Sequence, residues 1–231
     1  MTDLVRAVLA TRNPHKVVEM SRILAGIGVA VELVGLDAYP AVPEVVEDGL
    51  TFADNALKKA REVSAATGLP AIADDSGLCV DVLHGMPGVF SARWAGRDRN
   101  DGANLRLVLD QIADVADEHR GAQFVCAAAL VLPDGRESVV EGRVDGHLIR
   151  EPRGRGGFGY DPIFVPNGDN RTTAEMDPVE KDAKSHRGRA VRALAPLVVE
   201  MLTDSASRKE GVNPKESASP NESASPAGTP D

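Results

Sequence analysis

The chain has 231 residues and a formal net charge of -9 at pH 7. This acidic balance argues against a nucleic-acid-binding surface, because such surfaces meet phosphates with clustered basic groups. We find no signal-peptide pattern and no apolar run long enough to cross a bilayer, and we therefore expect a cytoplasmic protein that does not bind membranes.

The first part of the chain predicts a parallel strand, helix and strand unit. Residues 6–10 form a short apolar strand, and apolar side chains then recur at helical spacing over residues 17–27 until Gly28. A second strand is expected over residues 29–34. Strands joined in this way lie parallel, with a right-handed crossover.

Residues 37–49 carry two prolines and predict a loop that ends in the acidic pair Glu47 and Asp48. Thr51 and Asp54 then form a variant capping box, with Asp in place of the usual Glu or Gln, and so predict the start of a helix. Gly68 is a natural C-terminal stop for that helix.

The centre of the chain is the sequence Asp74-Asp75-Ser76-Gly77, which follows a buried strand at residues 69–72. Successive side chains on a strand point to opposite faces, so we expect only one of the two aspartates to enter a given cleft. Ser76 and Gly77 predict a sharp turn, and residues 78–83 a further strand. Acids at a strand end, followed by a glycine turn, suit a divalent metal and a phosphate.

The second half predicts a helix at residues 104–116 and a hairpin of strands at 123–132 and 138–149 around Pro133-Asp134-Gly135. A Gly-rich loop at residues 154–161 leads to a helix at 177–184. Ser185 is expected to cap the last helix. Residues 1–203 are therefore interpreted as one domain, and the polar, Ser- and Pro-rich residues 204–231 as a disordered tail.

Several polar groups could bind phosphate. Residues 11–16 lie between a strand and a helix start, where free backbone N–H groups bind anions, although a plain solvated turn is an equally good interpretation. Glu47 and Asp75 could share one Mg²⁺ ion, which commonly joins carboxylates to phosphate oxygens. Lys59 and Arg93 could neutralise a polyphosphate, or could be ordinary surface charges.

A second group of residues could bind a base. Phe158, in the Gly-rich loop, is placed to stack on a base, but it could instead pack against the sheet. Lys181, His186 and Arg187 surround a helix start and could donate to a base edge or to a phosphate. Taken alone, this basic set could equally be a solvated turn.

Five motifs occur in an order that is specific as a set. They are Thr11-Arg12-Asn13-Pro14-His15-Lys16, Thr51-Phe52-Ala53-Asp54-Asn55-Ala56, Asp74-Asp75-Ser76-Gly77-Leu78, Gly157-Phe158-Gly159-Tyr160-Asp161-Pro162 and Ser185-His186-Arg187-Gly188. With them, residues 5–202 resemble the inosine/xanthosine triphosphate pyrophosphatase family, which removes noncanonical purines from nucleotide pools.

The resemblance implies an elongated α/β fold with a long mixed sheet flanked by helices, two lobes with a cleft between them, and a homodimer. It implies Mg²⁺-dependent hydrolysis of ITP, dITP or XTP to the monophosphate and pyrophosphate. Asp75 would be the proton acceptor and a Mg²⁺ ligand, with Glu47 as second ligand. The implied substrate contacts are Thr11, Arg12, Asn13, Pro14, His15, Lys16, Lys59, Ser76, Arg93, Phe158, Gly159, Tyr160, Asp161, Lys181, His186 and Arg187.

Two departures from the family and two rival functions accompany this interpretation. Asp54 stands where the family usually has Glu, and the tail after Leu202 has no counterpart in the family core. One rival is a related pyrophosphatase for modified pyrimidine or methylated nucleotides, which the Phe158-Gly159-Tyr160-Asp161 and Ser185-His186-Arg187 sequences disfavour. The other is a catalytically silent nucleotide sensor, which the presence of Asp75, Glu47 and Lys16 disfavours.

Overall fold

The computed structural model describes residues 5–211, apart from the side chains of Val5, His15 and residues 205–211. Six strands form its central sheet: β1 (Val5–Leu9), β2 (Val31–Gly35), β3 (Ala71–Val80), β4 (Gly121–Val131), β5 (Glu137–Leu148) and β6 (Phe164–Pro166). Their order is β2-β1-β3-β4-β5-β6. β1 lies parallel to β2 and β3, and the other neighbours are antiparallel. The predicted mixed sheet, the parallel first unit and the hairpin are confirmed.

Five α-helices flank the sheet: α1 (Pro14–Gly26), α2 (Phe52–Thr67), α3 (Asp101–Gln111), α4 (Pro178–Lys184) and α5 (His186–Gly211). The predicted capping box of α2 is present, because Thr51 and Asp54 exchange side-chain and backbone hydrogen bonds. Gly68 ends α2 with φ +67°. Ser185 Oγ accepts a hydrogen bond from Gly188 N at 3.0 Å and so caps α5, as predicted.

The core is divided into three clusters. α1 and α5 cover one face of the sheet and α2 covers the other, while a third cluster joins α3 to the far ends of β3, β4 and β5. Along β3, Ile72 and Ala73 belong to the first two clusters, and Leu78 and Val80 belong to the third. Residues 74–77 therefore lie between two lobes, as the resemblance implies.

The predicted turn at Ser76 and Gly77 is wrong, and so is the separate strand at residues 78–83. β3 runs without a break from Ala71 to Val80, because β4 pairs with it over that whole length. A 3-10 helix at Asp81–Leu83 follows. Gly77 serves close packing instead, since a Cβ there would lie 2.4 Å from Ser91 Oγ and 2.5 Å from the Gly88 carbonyl oxygen.

The register of β1 leaves part of β3 without a neighbour on one side. β1 ends at Leu9 and pairs with β3 only at residues 71 and 72. Between that point and Leu78 the edge of β3 faces a gap in the sheet, and from Leu78 to Val80 the segment at residues 86–91 covers it through Ser91 Oγ and the Met86 carbonyl oxygen. Side chains on both faces of β3 reach this gap, and this is where the cleft forms.

The last helix continues to Gly211, beyond the predicted domain boundary at residues 203 and 204. Residues 212–231, which make up the rest of the predicted tail, lie outside the described residues. Within residues 5–211, no helix combines the length and apolar character needed to cross a bilayer.

We predict that Gly77→Ala destabilises the protein by about 1–3 kcal/mol, the usual range for an overpacked core. The added methyl group would press on the Gly88 backbone and on Ser91 Oγ, which cannot move freely because it is hydrogen-bonded to Leu78 N and to the Gly88 carbonyl oxygen. Gly26→Ala is the matched control, because a Cβ at the end of α1 meets nothing within 4 Å. Chemical denaturation of both variants checks this, and equal stability would contradict it.

Candidate active site

A cleft of about 1060 Å³ lies between the lobes, along the open edge of β3. Its lining carries eight carboxylate side chains and seven Lys or Arg side chains. The cleft's own charges thus nearly cancel, and a polyanionic ligand would need added positive charge to bind there. Asp74 and Asp75 both line it, so the expectation that only one of them would do so is wrong. The reason is the missing neighbour of β3, which opens the sheet to both faces.

Asp74 is the centre of a buried ion network. Its carboxylate accepts hydrogen bonds from Lys16 Nζ at 3.1 Å, Arg187 Nε at 3.1 Å and Ser76 Oγ at 3.2 Å. Burial opposes ionisation, but Lys16 and Arg187 outweigh it and hold the pKa of Asp74 well below its usual range. Asp74 therefore stays charged and ties the start of α1 to the start of α5 across β3.

Asp75 lies on the other face of β3, against α2. Its carboxylate accepts a hydrogen bond from Asn55 Nδ2 at 3.0 Å and lies 3.4 Å from Lys59 Nζ. Burial raises the pKa of Asp75, and the nearby negative charge of Glu47 adds to the rise, although Lys59 opposes it. A carboxylate with a raised pKa is a better proton acceptor near neutral pH than an ordinary aspartate.

Lys59 joins the two predicted metal ligands. Its Nζ donates to Glu47 Oε1 at 2.6 Å and to the Asp74 carbonyl at 2.7 Å, besides its contact with Asp75. Burial favours the neutral amine, but Asp75, Glu47 and Asp74 together raise the pKa of Lys59. Lys59 is thus a buried cation held between carboxylates, and not the solvated helix residue that the sequence alone allowed.

Arg93 supports Glu47 from outside the cleft. Its guanidinium donates to the Glu47 carbonyl oxygen at 3.0 Å, lies 3.9 Å from the Glu47 carboxylate and stacks 5.2 Å from the Phe90 ring centre. Arg93 itself is absent from the cleft lining among the described residues. Its geometry is that of a residue that fixes the loop before α2.

The predicted phosphate loop connects β1 to α1. Thr11 Oγ1 accepts from Asn13 N at 3.1 Å, and the Arg12 guanidinium donates to the carbonyl oxygens of Val42 at 2.6 Å and Leu36 at 3.4 Å. Thr11, Arg12, Asn13 and Lys16 line the cleft. Pro14 is not among the lining residues, and the side chain of His15 lies outside the described part of the chain.

The Gly-rich loop forms the opposite wall. Asp161 accepts from Phe158 N at 2.8 Å, from Thr173 Oγ1 at 2.8 Å and from Lys181 Nζ, so one buried carboxylate shapes the loop and holds Lys181. The Tyr160 hydroxyl donates to the Ser91 carbonyl oxygen at 2.8 Å. Asp101 Oδ2 accepts from Gly159 N at 2.9 Å.

Phe158 is 41% exposed, which is unusual for an aromatic side chain in a structured loop. Lys181 Nζ lies 5.2 Å and Arg187 Cζ 5.5 Å from the centre of its ring. The alternative that Phe158 packs against the sheet is not what the structure has. Its open ring, with cations close by, is suited to stacking on a flat ligand.

His186 and Arg187 begin α5 at the base of this wall. The imidazole of His186 stacks on the Phe124 ring at 4.7 Å between centroids, with 10° between the planes. Burial, together with Arg187 and Lys181, lowers the pKa of His186 well below its usual value, so this imidazole is neutral at pH 7. Arg187 Nη1 donates to Glu19 Oε2 at 2.8 Å, and its Nε to Asp74, so the guanidinium is held by two buried carboxylates.

The structure thus brings into one cleft every sequence-predicted site residue except Pro14, Arg93 and the side chain of His15. Asn55, Glu19 and Ser91 were missed as site residues. Asn55 joins the Gly49 amide to Asp75, and it already lies inside the Thr51–Ala56 motif. Glu19 follows Lys16 by one helical turn, a spacing that could have placed both on the cleft side of α1.

The pair of acids suits a divalent cation whose remaining ligands are waters or substrate oxygens. Glu47 and Asp75, from different elements, converge on the single ammonium of Lys59. Among the described residues, no three His, Cys, Asp or Glu side chains come together closely enough to hold a metal on their own. Magnesium typically uses one or two carboxylates, several waters and substrate phosphates, so two carboxylates are sufficient for it.

Paired acids beside a strand-to-helix loop, with an exposed aromatic ring on the opposite wall, are typical of an enzyme that acts on nucleotides. The chain belongs to the Ham1 family, whose model matches residues 7–197. It is 62% identical to the dITP/XTP pyrophosphatase of Streptomyces coelicolor, over 86% of this chain and 100% of that protein.

Solved structures agree with this membership. The nucleoside-triphosphatase / dITP/XTP pyrophosphatase of Mycobacterium abscessus is 56% identical over 83% of this chain and 100% of its own, with a TM-score of 0.69. A HAM1 protein from Coxiella burnetii is 40% identical over 85% of this chain and 100% of its own, with a TM-score of 0.77.

We predict that Asp74→Asn lowers the free energy of unfolding by about 3–5 kcal/mol, because it leaves Lys16 and Arg187 buried without their shared counter-charge. The matched control is Asp117→Asn, which breaks an exposed pair with Arg150. The control should cost at most about 1 kcal/mol. Urea titrations of both variants measure the difference, and an Asp74→Asn cost as small as that of the control would rule out a structural role for the network.

Proposed function

We propose that this chain hydrolyses noncanonical purine nucleoside triphosphates, namely ITP, dITP and XTP, to the monophosphate and pyrophosphate. The observation that carries the proposal is the cleft itself. It gathers the acid pair, the β1–α1 loop and the Phe158 wall in one place, in a chain 62% identical to a dITP/XTP pyrophosphatase. By this reaction the chain would remove noncanonical purines from the nucleotide pool.

Asp75 is the proposed catalytic base. It would accept the proton of a water molecule that attacks the α-phosphorus, while the bond from that phosphorus to the pyrophosphate oxygen breaks. The raised pKa of Asp75 suits this role. Asn55 and Lys59 hold its two carboxylate oxygens, so the base is fixed in orientation before the substrate arrives.

Mg²⁺ is the proposed cofactor, with Glu47 and Asp75 as its protein ligands. When bound, it would offset the charge of the triphosphate and polarise the phosphate oxygens. Lys59 keeps the two carboxylates close together. Arg93 keeps Glu47 in place by donating to the backbone carbonyl oxygen of Glu47. Together these residues prepare the acid pair before a metal ion binds.

Phosphate binding is assigned to the β1–α1 loop. α1 begins at Pro14, and its dipole favours an anion at this end, although Asn13 Oδ1 already accepts from Lys16 N at 3.4 Å. Lys16 adds a charge at the same end of the cleft, although Asp74 also holds it. Arg12 is already bonded to loop carbonyls, and its proposed contribution is to shape this loop.

Base recognition is assigned to Phe158, Lys181 and His186. Phe158 would stack on the purine, and Lys181 would donate to the oxygen at the six-position. The neutral imidazole of His186 can also donate one N–H to that oxygen. ATP has an amino group at this position, which would face donors and leave both sides without a bond. Glu19 and Asp74 hold Arg187 in place, so Arg187 would contribute mainly by its ion pairs with these two carboxylates.

A homodimer and a cytoplasmic location complete the proposal. A nucleotide sensor without turnover is disfavoured because Asp75 has both the orientation and the raised pKa of a base. An enzyme for modified pyrimidines is disfavoured by the large open ring of Phe158 beside Lys181, which suits a purine. Pyrophosphate release from ITP and from a modified pyrimidine triphosphate distinguishes all three. A sensor would bind without turnover, and an enzyme for modified pyrimidines would prefer the second substrate.

We predict that Asp75→Asn lowers kcat by about 10²–10⁴ with the fold retained, because the amide cannot accept the proton. Asp117→Asn is a suitable comparison, since it removes the same charge at an exposed pair with Arg150 outside the cleft lining and should leave turnover unchanged. The measurement is pyrophosphate release from ITP, with thermal melting as the folding control. Near-wild-type turnover by a well-folded Asp75→Asn protein would refute the assignment of the base.

We also predict that kcat/KM for ITP, dITP and XTP exceeds that for ATP by at least about 10²-fold, since buried mispaired polar groups discriminate strongly. His186→Ala should reduce this ratio, because one donor to the six-position oxygen is lost. Equal wild-type values for ITP and ATP would overturn the proposed function. Full discrimination by His186→Ala would leave the function in place but remove His186 as the reader of the base.

A further inference from the structure

We propose that Arg99 binds the triphosphate of the substrate, by leaving its ion pair with Glu44 when the nucleotide enters the cleft. The inference rests on the proposed function and adds to it a phosphate contact outside the five sequence motifs. Arg99 lies in the connection between the 3-10 helix at Gly88–Arg93 and α3, and it lines the cleft.

The argument begins with the partners of the other cleft cations. Lys16, Arg22, Lys59, Lys181 and Arg187 each pair with carboxylate side chains that are at most 20% exposed. Arg12 donates to backbone carbonyls. These groups are fixed in place, and their charge is already largely offset by their partners.

Arg99 differs from all of them within the described chain. Its Nη1 lies 3.2 Å from Glu44 Oε1, but its side chain is 55% exposed and that of Glu44 is 72% exposed. An ion pair this open to solvent contributes little to stability. Arg99 can therefore exchange Glu44 for a phosphate at small cost, and Glu44 can return to water.

The ion pair of Arg99 directs its guanidinium toward the loop that carries the proposed metal ligand. Its partner Glu44 is three residues from Glu47, in the loop that carries the proposed metal ligand, and both acids line the cleft. Asp101, two residues later, contacts the Gly159 amide in the wall that carries the proposed base contacts, whereas the Arg99 guanidinium pairs with Glu44. Arg99 thus approaches the acid-pair end of the cleft, where the triphosphate must lie for Asp75 to act on it.

The backbone at Arg99 supports the same conclusion independently. Arg99 has φ +48°, a left-handed conformation that a side chain of this size rarely adopts. The next residue, Asn100, caps α3 through Ala103 N, so the strained residue sits directly before a fixed helix end. Such strain is concentrated at ligand-binding sites, where it holds a side chain in a required direction.

The charge of the cleft explains why a cation that can change partners would help a polyanion to bind. Carboxylates outnumber cations in its lining, so the resting cleft does not attract a polyanion. A cation whose paired carboxylate is exposed becomes available as soon as a phosphate competes for it. A guanidinium also suits phosphate oxygens, because its parallel N–H groups can bind two of them together.

The test compares three variants of the full-length chain. Arg99→Gln removes the proposed contact, and Glu44→Gln breaks the same ion pair from its other side. Arg97→Gln is the matched control, because Arg97 is exposed, carries the same charge two residues away and is not among the cleft-lining residues. We would measure kcat and KM for dITP and ATP, and the affinity for inorganic tripolyphosphate by calorimetry.

We expect Arg99→Gln to raise KM for dITP about tenfold, which is the lower range for a charge-assisted hydrogen bond. Its affinity for tripolyphosphate should fall by a similar factor, with the preference for dITP over ATP unchanged. Glu44→Gln should leave KM the same or lower it, because it frees Arg99. Arg97→Gln should change KM less than twofold.

Two results would overturn the inference. If Arg99→Gln and Glu44→Gln raise KM alike, the pair is a structural clamp for the loop. If Arg99→Gln and Arg97→Gln change KM by the same factor, the effect comes only from the loss of one positive charge. A wild-type chain that does not hydrolyse dITP would refute the proposed function instead. The tripolyphosphate measurement would then decide on Arg99 separately, since it needs no turnover.

Discussion

The site depends on one backbone constraint, which is that β3 extends eight residues beyond the end of its pairing with β1. β4 pairs with the whole of β3 and keeps it continuous, while the other edge of β3 is open between Ile72 and Leu78. Asp74 and Asp75 therefore point to opposite faces of one strand and still meet the same cleft. With a longer β1 the gap would close, and with a turn at Gly77 the second lobe would lose the strand that joins it to the first.

The two aspartates have different electrostatic environments on the two faces of β3. Asp74 is paired with Lys16 and Arg187, stays charged, and joins the first turns of α1 and α5. Asp75 is buried beside Glu47, and its pKa is raised, which suits the proton transfer proposed for it. A single pair of neighbouring residues would thus supply both a structural anion and a reactive one, because burial and neighbours shift their pKa values in opposite directions.

Most cations of the cleft are tied to carboxylates or carbonyls of the protein itself. This arrangement holds their geometry fixed without a ligand, which favours catalysis by groups already in place. Because these cations are already paired, a triphosphate must either bind together with a cation or displace a carboxylate from a weak ion pair. The proposed roles of a divalent cation at Glu47 and Asp75, and of Arg99 near Glu44, both follow from this balance.

Local sequence determined the parts of this protein that depend on neighbours along the chain. The capping box at Thr51 and Asp54, the Gly68 stop, the Ser185 cap and the hairpin all followed from short-range hydrogen bonding and periodicity. The ordered motifs also indicated the family, and nearly all of the site residues predicted with them line the cleft. Only the tertiary structure decided that β3 continues through Gly77, that Asp74 and Asp75 share one cleft, that Arg93 supports Glu47, and that Asn55 and Glu19 belong to the site. Each of these depends on a strand register or on side chains brought together from distant segments, and a linear pattern carries no information on which distant partner a strand edge or a buried charge will meet.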